Sequence, residues 1–290
     1  MSARQDQPVL AIDIGGTKIL VALVAGGNVI ERNQLPTPRE AGGDAWCAAI
    51  ADAARPWSGR YVAAGAAVTG AISDGGRWSA LNPDILPIPT GFPLQETLAR
   101  HLRVPVVCAN DAQAAAWGEY RYGAGNGRDM GFVTISTGVG GGIVLGGKLL
   151  SGRHGLAGSI GQLPLAGSNG RGAAESGCGG RWIAKAAEGR TDDARGVFAA
   201  AEAGATWAND IIDRSVAGTA DLVAALQWIA DPEIIVVGGG IGLVPRYFSA
   251  LEAHLAAGPS RTILRPAQLG GDAGVIGVAD LAANANGISS

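Results

Sequence analysis

The chain has little cysteine, little excess charge and no long apolar run, and each shortage narrows what it can be. Its three cysteines, Cys47, Cys108 and Cys178, are scattered and form no CxxC pair. An odd, widely spaced set argues against a disulfide framework and against a thiolate metal site. Formal net charge is -3, and 16% of residues are charged. That balance provides no basic surface for nucleic acid or for an anionic membrane. No uninterrupted apolar stretch is long enough to span a bilayer. Residues 1–7 are polar and run directly into a strand pattern, so no signal peptide is expected. These absences together predict a soluble, cytoplasmic chain.

What is present is apolar material and glycine. The 290 residues are 47% hydrophobic, enough for a large core, and include 47 glycines. The length suggests about two domains. The glycines cluster, which marks tight turns and close backbone approach. Val9–Ile14 and Ile19–Val24 read as strands around Gly15-Gly16-Thr17-Lys18, and Val29–Gln34 follows a Gly26-Gly27-Asn28 turn. A helix is expected over Gly42–Arg55 and a strand over Tyr61–Val68. Residues 73–91 read as a long loop, then Leu94–Leu102 as a helix and Val104–Ala109 as a strand. The opening pattern then recurs: a strand over Met130–Ser136, a glycine-rich turn over 137–142, a strand over Ile143–Leu145 and a turn at Gly146-Gly147. We read an internal repeat of two α/β halves, each opening on a glycine hairpin. Further helices are expected over Trp182–Ala187, Gly196–Ala203, Ala205–Ile229, Phe248–Ala257 and Ala273–Ala283, with a strand over Glu233–Val237.

Four stretches carry candidate chemistry. Asn110-Asp111 joins a buried strand to an alanine-rich helix, where open α/β sheets place ligands. Taken alone, Asp111 reads more as a helix cap than as a base. Asp13 ends the first strand before a glycine turn whose backbone N–H groups can hold an anion. Thr17 adds a hydroxyl there and Lys18 a counter-charge. The spacing is not that of a Walker A loop. Ser136-Thr137-Gly138-Val139-Gly140-Gly141-Gly142 repeats the same logic, and two such loops facing each other across a cleft would grip a polyphosphate from both sides. Val237-Gly238-Gly239-Gly240 is a third turn of this kind, open enough for a base or ribose to lie against backbone.

These motifs, in this order, resemble the ROK sugar kinases: AIDIGGTK, VTG at Val68–Gly70, NDAQAAAWGE, STGVGGG, the run from Gly155 to Gln162 and the late GGG. The resemblance covers nearly the whole chain. It implies an actin/hexokinase/Hsp70-like ATPase fold, with two α/β domains around a central cleft. The expected division is residues 1–109 plus 277–290 against 110–276. LNP at Leu81–Pro83 and NDAQAAAWGE look most like the bacterial N-acetylmannosamine kinases of that family. Glucokinases and other hexose or N-acetylhexosamine kinases are the alternatives within it. A sugar-binding regulator is the alternative of another class; here the first strand begins near Val9, where such regulators carry a helix-turn-helix.

By that resemblance Asp111 is the general base for the sugar 6-hydroxyl, and Asn110 holds a sugar hydroxyl. Gly70 and Asn82 lie in segments that line the sugar pocket. Gly15, Gly16, Thr17, Lys18, Thr137 and Gly138 bind the phosphates of ATP. Asp13 sits by Mg²⁺, through phosphate or water, and Gly238 and Gly239 lie by the adenosine. A homodimer is common in the family. The chain departs from the family at its zinc motif. Ser159 stands at an acidic position and Gln162 at the zinc histidine. Counting back from Glu175, the three cysteine positions are Ala166, Ser168 and Ala173. No structural zinc is therefore expected, and His154 is read as a solvated loop residue. Gln162 can still hydrogen-bond a sugar hydroxyl, Ser159 reaches one through water, and Glu175 either accepts from one or only complements its helix dipole.

Overall fold

The computed structural model describes residues 7–39, 41–81, 87–164, 173–258 and 262–288. The chain divides into two compact units, Met1–Gly123 with Leu149–Ala157 and Gly271–Ser290, and Ala124–Lys148 with Gly158–Gly270.

The first unit opens as the sequence suggests. Strands β1 (Val9–Ile14), β2 (Lys18–Ala25) and β3 (Asn28–Pro36) form an antiparallel meander. Leu10, Ile12 and Ile14 on one face of β1 and Ala11 on the other have no solvent exposure, as expected for a strand covered on both faces. Helix α1 (Gly42–Ala54) follows, then β4 (Ala64–Val68), which runs parallel to β1. The expected strand start at Tyr61 is three residues early. The stretch read as a loop over 73–91 begins with a small hairpin, β5 (Ala71–Ser73) and β6 (Arg77–Ser79). Its Trp78 is fully buried beside Trp46, ring centroids 6.0 Å apart. Helix α2 (Leu94–Leu102), β7 (Val106–Asn110) and α3 (Asp111–Tyr122) complete this part, and the sheet order is β3-β2-β1-β4-β7.

The second unit repeats that order. Strands β8 (Met130–Ile135), β9 (Val139–Leu145) and β10 (Lys148–Leu149) form a second meander. Helices α4 (Glu175–Cys178), α5 (Gly180–Ala186), α6 (Ala194–Glu202) and α7 (Thr206–Ala230) precede β11 (Ile234–Gly238), α8 (Pro245–Ala256) and β12 (Leu264–Pro266). The sheet reads β10-β9-β8-β11-β12. The repeat seen in sequence is thus a repeat of topology. One detail differs: Gly140, Gly141 and Gly142 are strand residues paired with Thr134, Val133 and Phe132, not a turn. Their lack of side chains serves another contact. A Cβ on Gly141 would lie 2.7 Å from the Gly158 carbonyl oxygen and 2.8 Å from Ile160. The glycines let residues 158–162 lie directly on the strand.

The chain returns to the first unit with α9 (Ala273–Ala285). A Cβ on Gly277 would sit 1.8 Å from the Ala114 carbonyl oxygen, and one on Gly118 would sit 2.4 Å from that of Ala273. Backbone therefore meets backbone where α3 crosses α9, which keeps α3 in the first unit rather than beyond the 109/110 division. Asp280 of α9 secures the same crossing. Its buried carboxylate accepts from Trp117 Nε1 (2.7 Å), Tyr122 OH (2.6 Å) and Asn284 Nδ2 (2.7 Å), so its burial leaves no charge unpartnered. In the second unit the buried Tyr247 hydroxyl bonds Ser215 (2.9 Å) and Thr219 (2.7 Å), and Ser215 donates to the Cys178 carbonyl (2.7 Å), which ties α4 to α7 and α8. The three cysteines are free. No helix among the described residues is long and apolar enough to cross a membrane.

Candidate active site

The first unit builds a carboxylate held at a strand–helix junction. Asn110 ends β7 in an extended conformation, and its Oδ1 accepts from the N–H groups of Ala112 (3.0 Å) and Gln113 (3.1 Å). The helix N-cap is therefore Asn110, and Asp111, the first helical residue, shares the Ala112 N–H with it. Asn110 Nδ2 donates to the Gly70 carbonyl and to Asp111 Oδ1, both at 2.9 Å. Its amide is fully spent, so a sugar hydroxyl held there must replace one of these bonds. Asp111 Oδ1 also accepts from the Ala112 N–H (2.8 Å), and Oδ2 accepts from the Thr69 hydroxyl (2.9 Å). Burial raises the Asp111 pKa, while the bonds from Thr69, Ala112 and Asn110 oppose the rise. Thr69 is in turn fixed by Trp78, whose Nε1 donates to its carbonyl (3.0 Å). Gly70, at φ +125°, has no room for a side chain: a Cβ would meet the Ser79 carbonyl oxygen at 2.6 Å. Asn82 lies outside the described residues.

Asp13 belongs to the same neighbourhood. It pairs with Leu20 and Ala67 across β2 and β4. Its pKa is pushed up to about 7, first by burial and then by the charge of Asp111, with Lys18 opposing. Two carboxylates with one nearby lysine leave a place that favours a cation. The adjoining hairpin has a specific hydrogen-bond arrangement. Gly15 N–H donates to the Lys18 carbonyl (3.0 Å), the Gly15 carbonyl accepts from the Thr37 hydroxyl (2.7 Å), and the Thr17 carbonyl accepts from the Thr37 N–H (3.1 Å). Among the described residues, the N–H groups of Gly16 and Thr17 have no protein acceptor. Carbonyls are thus tied from behind while donors stay open, as an anion needs.

The second unit has the same arrangement. Ser136 N–H donates to the Gly138 carbonyl (2.9 Å), and the Ser136 and Thr137 carbonyls accept from the N–H groups of Gly180 (2.8 Å) and Arg181 (2.9 Å). The N–H groups of Thr137 and Gly138 have no acceptor among the described residues. A Cβ on Gly138 would be 2.8 Å from Glu175 Oε2. Glu175 Oε1 accepts from Gln162 Nε2 at 3.2 Å, and Gln162 sits in a short 3-10 turn entered from Ser159. Gly238 pairs with Thr134, and Gly239, at φ +87°, packs on the Ile135 carbonyl. The late glycine run therefore lies beside the strand that leads into the hairpin. At the zinc-motif positions, Ala173 offers no metal donor, and Ala166 and Ser168 lie outside the described residues. His154 is in an exposed turn of the first unit. Among the described residues, no group of three His, Cys, Asp or Glu side chains is placed to hold a metal ion.

Sequence reasoning did not single out Thr69, Thr37 or Arg181. Thr69 lay inside the quoted VTG, so its hydroxyl was legible in principle. Thr37 follows a strand with no motif around it, and its role depends on a register that only pairing defines.

Comparison with known proteins gives a consistent result. Residues 9–285 match the ROK family. The chain is 50% identical to the bifunctional enzyme NanE/NanK of Brucella melitensis, over 97% of this chain and 55% of that protein. It thus spans about half the length of that relative. It is 41% identical to the N-acetylmannosamine kinase of Shigella flexneri, over 94% of this chain and 98% of that one. Among solved structures it is similar to the ROK hexokinase from Thermus thermophilus, with a TM-score of 0.84 and 31% identity, covering 97% of this chain and 99% of that one. It is also similar to a ROK family glucokinase from Streptomyces griseus in complex with glucose and AMPPNP, with a TM-score of 0.81 and 29% identity, covering 96% and 99%. The expected actin/hexokinase/Hsp70-like fold is borne out.

Proposed function

This chain belongs to the ROK family, and from that membership we propose that it is an ATP-dependent kinase for the 6-hydroxyl of N-acetylmannosamine. The observation that carries the reading is Asp111, a carboxylate at the start of a helix whose N-cap is its neighbour Asn110, held by Thr69 and Asn110 with Oδ2 bonded by Thr69 alone. Similarity to N-acetylmannosamine kinases over nearly the full length of both proteins supports the sugar.

Asp111 takes the proton of the 6-hydroxyl as its oxygen attacks the γ-phosphorus, and ADP leaves. Oδ1 accepts two protein bonds and Oδ2 one, so Oδ2 keeps a lone pair for that proton. The gain is mostly positional, because phosphoryl transfer needs alignment and charge stabilisation more than a strong base. The open N–H groups of Gly16, Thr17, Thr137 and Gly138 are suited to phosphate oxygens, with Lys18 as counter-charge, and Gly238 and Gly239 flank the adenosine. Asp13 is the residue to hold Mg²⁺, directly or through water; its raised pKa fits a position short of positive charge. When bound with ATP, that ion neutralises charge on the phosphates. Gly70, Asn82, Ser159, Gln162 and Glu175 contribute to sugar recognition. Glucose or another hexose is the second reading, supported by the similarity to the ROK hexokinase and to the glucose-bound ROK glucokinase. The protein is further read as a cytoplasmic homodimer, which sedimentation of the purified chain tests.

The test is ADP release with ATP, Mg²⁺ and a panel containing N-acetylmannosamine, N-acetylglucosamine, mannose and glucose. N-acetylmannosamine should give the highest kcat/KM. Turnover on none of them would remove the kinase reading, and preference for glucose would replace the sugar.

A further inference from the structure

The second hairpin has a cation beside it that none of the sequence motifs names. Arg181 is the second residue of α5, and its N–H bond to the Thr137 carbonyl fixes its backbone against the hairpin tip. Its guanidinium lies 4.0 Å from Glu175 Oε2. The same guanidinium is 3.8 Å from where a Cβ on Gly138 would stand. The Arg181 side chain is 47% exposed. A pair at that separation with its arginine half exposed contributes little to stability, so holding the fold is a poor account of this placement. A guanidinium also presents a planar fork of donors that matches phosphate oxygens. Here the fork stands beside two open N–H groups on a turn whose carbonyls are already bonded. Glu175, the carboxylate beside this tip, has Gln162 as a second partner.

We propose that Arg181 is a nucleotide-phosphate ligand, whose guanidinium binds the non-bridging oxygens of a phosphate seated on the Thr137 and Gly138 N–H groups. Glu175 then keeps Gln162 as its partner. This inference rests on the kinase reading for the presence of a nucleotide, and it adds a residue to that site.

Calorimetry on the whole chain separates the two. ADP, adenosine and N-acetylmannosamine are titrated into the wild type, Arg181→Ala, Arg181→Gln and Arg181→Lys. A charge-assisted hydrogen bond to phosphate predicts that Arg181→Ala and Arg181→Gln weaken ADP roughly tenfold or more. Adenosine and sugar affinities should stay within about twofold, and Arg181→Lys should recover part of the ADP loss. Arg181→Gln retains most of the side-chain stem, and a thermal melt confirms that it folds. Unchanged ADP affinity in both neutral variants overturns the proposal. So does a loss confined to sugar, which would make Arg181 only an orienting partner of Glu175. A wild type that binds ADP with this Arg181 dependence but phosphorylates no sugar removes the kinase reading alone. A wild type that binds no ADP removes both.

Discussion

The two glycine hairpins solve one electrostatic problem with different materials. In both, the turn carbonyls are bonded from behind and two N–H groups stay open. At Gly15–Thr17 the tie is Thr37, one residue using both its hydroxyl and its backbone N–H. At Ser136–Gly138 the ties are the first two N–H groups of α5. The surroundings then diverge. The first hairpin stands beside Asp13, which feels the charges of Asp111 and Lys18, and the second beside Arg181 and its partner Glu175. A cation-bridged phosphate suits the first and a directly bound phosphate suits the second. Similar backbones therefore receive different tasks from the charge placed next to them.

The largest effects should come where the first hairpin meets the base. Asp111→Asn keeps the size of the side chain and, with its oxygen in place of Oδ1, the bonds from Asn110 and Ala112, while its NH2 donates to the Thr69 hydroxyl; it removes the proton acceptor. Its kcat should fall about 10²- to 10⁴-fold, with sugar affinity by calorimetry nearly unchanged. A kcat within tenfold of wild type would dissociate the chemistry from this residue and leave the two hairpins equal in importance. Glycine substitutions sharpen the contrast in mechanical support. Gly277→Ala puts a methyl 1.8 Å from the Ala114 carbonyl oxygen, backbone against backbone, and should cost about 3 kcal/mol or more. Gly138→Ala meets only the end of the Glu175 side chain, at 2.8 Å, which can swing away. Its melting temperature should change little while nucleotide binding weakens. Equal destabilisation of the two variants would contradict this account.

A smaller effect tests the ties themselves. Thr37→Val leaves the Gly15 carbonyl without its hydroxyl donor, a loss of about 1–2 kcal/mol for a part-buried acceptor. Its KM for ATP should rise several-fold, and Thr37→Ser should restore it. The second hairpin is tied by backbone alone, so truncating the Arg181 side chain should not untie it. Arg181→Ala should act on phosphate without altering the turn. If Thr37→Ser fails to recover what Thr37→Val loses, the hydroxyl is not the working group.

Much of this was legible because glycine and Asx residues carry local rules. The meander over β1–β3, the strand–helix junction at Asn110-Asp111 and the repeat of hairpins follow from periodicity and turn residues, which need only nearby sequence. The setting of Asp111 was only half local: Asn110 taking the Ala112 and Gln113 N–H groups is a neighbour contact, but Thr69 arrives from the end of a parallel strand 42 residues earlier. The role of Gly140–Gly142 was misplaced for a similar reason. A run of glycines says that something comes close; whether it is a turn or a crossing segment is decided by residues 158–162. Thr37 and Arg181 act through backbone register as much as through side-chain type, and no motif encodes that.

The smallest predicted effect belongs to the first hairpin alone. The Asp13 pKa is pushed from 3.8 to about 7 by burial and by Asp111. Between those values the ligand-free native state holds a proton that the unfolded chain has lost. Folding therefore binds protons in this window, and stability falls as pH rises through it, levelling off above about 7. Asp13→Asn removes the titrating group. The variant should melt higher than wild type at pH 8, and the gain should shrink towards zero near pH 3, below both values, where both states of wild type mostly carry the proton. Because Asp13 is partly exposed, the shift should be a few degrees at most. Magnesium should narrow the gap at pH 8, since a cation beside Asp13 relieves the same penalty in wild type and finds no charge in the variant. A melting-temperature difference equal at pH 3 and pH 8 would mean that Asp13 is solvated and does not feel Asp111. The first hairpin would then lose the feature that sets it apart from the second.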